Sequence, residues 1–143
     1  MIKNVRHTGI VVNDLKKSVY FYQDLLGFKI VKRAEEFGDF IDNISASRGV
    51  KVTTVKMASF DGQMIELLYY HSHLRDLKPR EICDIGIAHI AFTVDDLNGE
   101  YYRLKEEGIF FNCPPQLSPD KYAKVTFCRA PEGTLIELVE VLP

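Results

Sequence analysis

Two histidines and two glutamates stand in stretches that are otherwise apolar, and together they form a set able to bind a metal. Glu66 lies in Met64-Ile65-Glu66-Leu67-Leu68, and Glu137 in Leu135-Ile136-Glu137-Leu138-Val139. A carboxylate isolated in an apolar strand neutralises itself, pairs, or binds a cation. Strand parity puts Met64, Glu66 and Leu68 on one face and Ile65 and Leu67 on the other. His7 shares its face with Val5, Gly9 and Val11, and His89 with Ile87, Ala91 and Thr93. Two neutral imidazoles and two carboxylates suit Zn, Ni, Co or Mn, and Fe(II) as well. One divalent ion held this way keeps positions for two neighbouring oxygens of a substrate and acts on them as a Lewis acid. It would stabilise the enediolate that forms when a proton leaves the carbon α to a carbonyl.

Plainer readings exist for each residue alone. A single histidine in a strand is ordinarily a hydrogen-bonded core or surface residue. A single glutamate there ordinarily faces water from a sheet edge. Both readings weaken because the four residues are related by an internal repeat. With His7 placed over His89, Asp14-Leu15 falls on Asp96-Leu97, Val19 on Tyr101 and Tyr20 on Tyr102. Further on, Asp61-Gly62-Gln63-Met64-Ile65-Glu66-Leu67 lies over Glu132-Gly133-Thr134-Leu135-Ile136-Glu137-Leu138. The spacing between the two blocks is longer in the first half, which places an insertion within residues 35–48, rich in charge and turn formers.

The elements that must position these residues follow from local signals. Residues 5–12 and 87–94 read as the opening strands of the two halves. Asp14 and Asp96 are N-caps, and Gly27 and Gly108 are helix stops. Between them, Leu15, Val19, Tyr22 and Leu26 form one helical stripe, and Leu97, Tyr101 and Leu104 the other. Residues 28–33, 50–60 and 64–70 are three further strands of the first half, with Asp61-Gly62 as a hairpin turn. Residues 109–112, 123–129 and 134–141 are their counterparts, and residues 71–84 form a polar linker containing Pro79. The fold class is therefore α+β. It consists of two tandem βαβββ modules, residues 1–70 and 85–143 of a single domain, predicted to form a half-closed, cup-shaped mixed sheet with helices outside.

Composition sets the outer bounds. A chain of 143 residues with 46% hydrophobic side chains can bury one full core. Net charge is −2, and neither sign forms a block, which argues against a nucleic-acid partner. No apolar run approaches the roughly 20 residues that cross a bilayer, so no membrane partner is expected. Cys83, Cys113 and Cys128 are odd in number and widely spaced, a pattern that suits reduced thiols and a cytoplasmic location.

The chain resembles the vicinal oxygen chelate superfamily, which includes glyoxalase I, methylmalonyl-CoA epimerase, extradiol dioxygenases and bleomycin-binding proteins. The resemblance covers nearly the whole chain. It rests on His7-Thr8-Gly9-Ile10-Val11-Val12 with Asp14-Leu15, on Phe21-Tyr22 and Leu26-Gly27-Phe28, and on Ile65-Glu66-Leu67. It continues in His89-Ile90-Ala91-Phe92, in Val94-Asp95-Asp96-Leu97, and from Ala130 to Leu138. The resemblance implies that His7, Glu66, His89 and Glu137 are metal ligands, as in bacterial glyoxalase I, and that Glu137 first and Glu66 second serve as the base. It implies a metal-dependent lyase or isomerase acting on a small molecule with vicinal oxygens, and a homodimer. Other members imply alternatives: an acyl-CoA epimerase, an Fe(II)-dependent extradiol-type dioxygenase, or a non-catalytic small-molecule binder.

Some positions depart from the bacterial glyoxalase pattern. Val11 replaces the arginine that helps hold the glutathione carboxylate, and Tyr70 replaces an asparagine. The segment 37–50 is foreign to that enzyme. The metal chemistry carries over and the glutathione adduct does not. Among the remaining candidates, His71 and His73 could add a ligand or touch substrate, although exposed loop histidines are the default. Tyr70 shares the face of Glu66 and either shapes a pocket or simply packs. Arg48, Arg75 and Arg80 could meet an anion. Tyr20, Phe21 and Tyr101 read as helix-to-sheet core, and Cys128 needs no redox role.

Overall fold

The same local capping geometry opens both helical segments. Asp14 precedes α1 (Leu15–Val19) and accepts a hydrogen bond from the Lys17 backbone N–H, and Asp96 precedes α3 (Leu97–Glu106) and accepts from Gly99. Both caps are extended, with φ and ψ of −139° and 93° at Asp14 and −138° and 94° at Asp96. Each helix also stops at a glycine in the left-handed region, Gly27 at φ 80° and Gly108 at φ 81°. That conformation costs any residue with a Cβ, so glycine ends the helix cheaply.

These features belong to a computed structural model that describes residues 1–143. The chain forms two compact units, Met1–Leu77 and Lys78–Pro143. In the first, β1 (Thr8–Val11), β2 (Lys29–Phe37), β3 (Lys51–Ala58) and β4 (Met64–Tyr70) make a four-stranded sheet in the order β1-β4-β3-β2. In the second, β5 (Ile90–Thr93), β6 (Gln116–Leu117), β7 (Ala123–Arg129) and β8 (Leu135–Val141) repeat that order as β5-β8-β7-β6. The outer strand β1 runs parallel to β4, and β5 parallel to β8, while the remaining pairs are antiparallel. The fold is α+β, each unit a βαβββ module.

One sheet face in each unit carries the helix. In the first unit Ile10, Val55, Met57, Ile65 and Leu67 are buried on that face, with Phe21, Tyr22 and Leu25 from the helical segment. Tyr22 meets both Phe21 and Phe28 edge to face. In the second unit Ile136, Leu138, Thr126 and Cys128 are buried with Leu97, Tyr101 and Leu104. The α3 N-terminus is tied to its sheet by Glu140, which accepts from the Leu97 N–H at 2.9 Å and pairs with Lys124 at 3.0 Å. Those partners hold the Glu140 carboxyl below its ordinary range, the Leu97 hydrogen bond first.

The elements differ from the sequence reading in four places. After α1 the helix widens into a π-helix over Tyr20–Leu25, which moves the buried stripe to Ser18, Phe21, Tyr22 and Leu25. A 3.6-residue period cannot follow a wider turn, so Leu15, Val19 and Leu26 are only partly buried. The opening strands are shorter than expected, β1 starting after His7 and β5 after His89. The expected strand at 109–112 is reduced to a bridge between Phe111 and Cys128, and the edge strand forms later, at Gln116–Leu117.

The insertion is the fourth difference. Strand β2 runs on to Phe37, and α2 (Asp39–Ser45) follows. Ile41 of α2 packs with Val50, Val52, Leu68 and Tyr70, on the sheet face that carries no α1. Asp42, in the first turn of this helix, ties it to the chain that follows by accepting from the Gly49 and Val50 N–H groups, both at 2.8 Å.

Candidate functional site

Each unit brings one histidine to one glutamate, on the face away from its helix. Glu66 is on β4 opposite Gly9 of β1, and His7 lies two residues before Gly9, so both side chains share a face. Nε2 of His7 is 3.8 Å from Oε2 of Glu66. Glu137 is on β8 opposite Ala91, and His89 lies two residues before Ala91. Nε2 of His89 is 3.0 Å from Oε2 of Glu137. The two pairs thus sit at equivalent points of equivalent units. Within each unit the pair stands alone, with no third His, Cys, Asp or Glu joining it into a metal-sized cluster.

The surroundings of the two pairs are not alike. Lys56 on β3 is the cross-strand partner of Glu66, and its Nζ is 3.4 Å from the same Oε2 that His7 faces. The corresponding partner of Glu137 is Phe127 on β7, whose ring the His89 imidazole meets edge to face at 5.2 Å. A cation therefore stands beside Glu66 and an aromatic ring beside Glu137. Gly9 leaves the space over Glu66 open, since a Cβ there would approach Leu68 Cδ1 at 3.3 Å. Nδ1 of His7 is buried without a hydrogen-bond partner.

The donor chemistry fits a divalent ion. In each pair an imidazole nitrogen and a carboxylate oxygen face one another, and both atom types ligate borderline metals. The Lys56 pair is longer than the 2.7–2.9 Å typical of a charge-assisted hydrogen bond, which leaves Glu66 lone pairs for another partner.

The other sequence candidates lie elsewhere. His71 Nε2 is 2.7 Å from the buried Thr53 hydroxyl, which also donates to Glu35 at 2.6 Å. Thr53 is on the helix face of β3, so this trio does not share the face of Glu66. His73 is exposed beside the Ser72 hydroxyl. Tyr70 shares the Glu66 face and packs into the α2 cluster, so packing is its role there. Arg75 donates to the carbonyls of His73 and Leu74, while Arg48 and Arg80 are exposed. Phe21 and Tyr101 are core, whereas Tyr20 is 48% exposed. Burial pushes the Cys128 thiol up to about 12, which makes it inert. Sequence reasoning missed Lys56. The signal was the one used for Glu66: a charge within an apolar strand, here Val55-Lys56-Met57.

Comparison with known proteins agrees with this fold. The sequence pattern of the Glyoxalase/Bleomycin resistance protein/Dioxygenase superfamily matches residues 4–138, and the chain belongs to that superfamily. It is 26% identical to the uncharacterised protein YwbC of Bacillus subtilis, covering 98% of this chain and 99% of YwbC. It is 29% identical to the lactoylglutathione lyase of Schizosaccharomyces pombe over 94% of this chain, which spans 46% of that enzyme. Among solved structures, a glyoxalase family protein from Bacillus cereus superposes with a TM-score of 0.89 at 22% identity, covering 100% of this chain and 97% of its own. The trypanothione-dependent glyoxalase I of Leishmania major gives a TM-score of 0.69 at 22% identity, covering 97% of this chain and 87% of that one. At these identities the structural likeness speaks for the fold.

Proposed function

We propose that His7, Glu66, His89 and Glu137 hold one divalent metal ion, and that the protein is a lyase or isomerase that moves a proton on a carbon beside a carbonyl. The observation that supports this most is the pairing of a histidine with a glutamate at equivalent points of two units with one topology. The same four ligands serve whether the pairs come from one chain or from two copies in a homodimer. When bound, the ion supplies a Lewis acid for two neighbouring oxygens of the substrate. Zn, Ni, Co and Mn all suit these donors, and iron would favour a dioxygenase reading instead.

The residues of the chain then divide the work. The base takes the proton from the substrate carbon, the C–H electron pair passes to the carbonyl as an enediolate, and the proton returns to the same or the adjacent carbon. Glu137 is the preferred base: its cross-strand neighbour is the Phe127 ring rather than a lysine, and its near partner is the His89 imidazole at 3.0 Å. Glu66, held by Lys56 and facing His7, is suited to remain a ligand.

The lactoylglutathione lyases among the relatives support the lyase class. Val11 and Tyr70, in place of the residues expected for a glutathione adduct, point to a different small molecule with vicinal oxygens. The test is exchange in deuterated water. Hemithioacetals of 2-oxoaldehydes and acyl-CoA epimers are incubated with the protein, and deuterium at the α-carbon is read by NMR. Exchange that disappears in Glu137→Gln supports the reading. Oxygen consumption with Fe(II), and no exchange, would replace it with the dioxygenase.

A further inference from the structure

A row of charged residues crosses the first sheet at the level of Glu66. Lys32 of β2 is the cross-strand partner of Lys56 of β3, and Lys56 is the partner of Glu66 of β4. Paired residues share a face, so Lys32 and Lys56 lie on the same side of the sheet as Glu66 and His7. Neighbouring strands are about 5 Å apart, and like charges directly opposite one another destabilise a sheet. Lys56 is offset by Glu66. Lys32 takes part in none of the ion pairs, is exposed, and stands in register opposite Lys56.

Lys29, the partner of Ala58, adds a third cation to this face, and Glu36, the partner of Val52, is the other carboxylate. Glu36 lies four residues along β2 from Lys32, about 13 Å at the rise of a strand, too far to neutralise the pair. The second unit has no such row. Its equivalent of Lys56 is Phe127 opposite Glu137, the edge segment beside Phe127 contributes Asn112, and Arg129 turns its guanidinium to the Arg80 carbonyl. The π-helix and α2 do not account for the lysines, since neither element supplies a carboxylate to them.

The geometry points to an anion subsite on the first unit, in which Lys32 and Lys56 together bind a carboxylate or phosphate group of the substrate. This rests on the functional reading above for its link to catalysis, because it places the anionic group of the substrate beside Glu66. The site itself stands on the lysine row alone. It narrows the substrate class to vicinal-oxygen compounds that carry a negative group away from the reacting carbon.

The test is calorimetric titration of the full-length protein with inorganic phosphate and, separately, with acetate, at low ionic strength. The parent is compared with Lys32→Gln, Lys56→Gln and His89→Ala, and the metal content of every sample is measured by elemental mass spectrometry. Saturable binding of either anion in the parent, weakened about tenfold by each lysine substitution and kept in His89→Ala, is the expected result. The stronger of the two probes names the group. Lys32 is exposed and makes no ion pair, so Lys32→Gln tests the site without endangering the fold. Unchanged affinity in Lys32→Gln overturns the subsite, and so does an absence of saturable binding in the parent. Binding lost in His89→Ala but kept in Lys32→Gln puts the anion on the metal and overturns it too. A parent without metal that still binds phosphate through Lys32 separates failure of the metal reading from failure of the subsite.

Discussion

Lys56 lies directly across the strand pair from Glu66, with Nζ 3.4 Å from Oε2, whereas the equivalent neighbour of Glu137 is Phe127. A repeat faithful to its caps, its glycine stops and its strand order is broken at this cross-strand position. The Glu66 carboxylate has the Lys56 ammonium beside it, whereas that of Glu137 has the Phe127 ring across the strand pair and Nε2 of His89 at 3.0 Å. The broken symmetry gives the two glutamates different neighbours, and the proposed division of roles between them rests on that difference.

That division predicts the ranking of two variants. Glu137→Gln keeps an oxygen ligand but removes the base, so turnover falls by roughly a hundred- to ten-thousand-fold while bound metal is retained. Glu66→Gln also keeps an oxygen ligand and, with the proposed base intact, loses less turnover. Parallel measurement of kcat and metal content separates the two, and a larger turnover loss in metal-loaded Glu66→Gln would exchange their roles.

Gly9 faces Glu66 across the parallel pair, and a Cβ there would already come within 3.3 Å of Leu68 Cδ1. Gly9→Ala needs Leu68 to give by a few tenths of an ångström. Gly9→Val overpacks the position and costs about 1–3 kcal/mol in urea unfolding. The branched side chain also fills the space beside Glu66, so metal uptake falls further in Gly9→Val than in Gly9→Ala. Equal metal uptake by both would place the metal-facing side of Glu66 elsewhere.

Asp42 ties α2 to β3, and the Val50 and Gly49 N–H groups it accepts from hold its carboxyl below the ordinary carboxylate range. A carboxyl with a lower pKa folded than unfolded stabilises the fold above its unfolded pKa, and that contribution is lost as pH falls through the folded value. Asp42→Asn should therefore lower Tm at neutral pH, and the gap to the parent should close below about pH 4. A gap that stays constant into acid would mean that the carboxylate charge contributes nothing at this loop.

The three thiols should react in the order of their burial. Cys83 is exposed, while Cys128 is buried and its thiol is pushed up to about 12. Iodoacetamide at neutral pH should label Cys83 first and reach Cys128 only in denaturant, as read by mass spectrometry of the intact protein. Rapid native labelling of Cys128 would mean that β7 opens readily.

Much of this molecule is legible in its sequence. The bounds of Met64–Tyr70 and Ala123–Arg129 agree to the residue, because each is a short run of β-formers between turn and loop residues. Capping by Asp14 and Asp96 was equally plain, since it depends on one side chain and its own backbone. The stripe of the first helix was misplaced because a π-helix follows no 3.6-residue period. The segment after Phe37 looked like a charged insertion, and only Ile41 gives α2 its apolar anchor on Val50 and Val52. Lys56 was passed over because its meaning comes from register. Its charge within Val55-Lys56-Met57 marks the position, and the β3–β4 pairing decides that it stands opposite Glu66.

The central claim is that His7, Glu66, His89 and Glu137 share one metal ion, and metal content tests it most directly. Elemental mass spectrometry of the purified parent should find one divalent ion per chain, close to stoichiometric, with His7→Ala and His89→Ala each losing most of it while remaining folded by circular dichroism. Loss in both variants is the decisive feature, because it ties the two pairs to a single ion. A parent that takes up no Zn, Ni, Co, Mn or Fe after incubation with each would contradict the account, and so would variants that keep the metal of the parent.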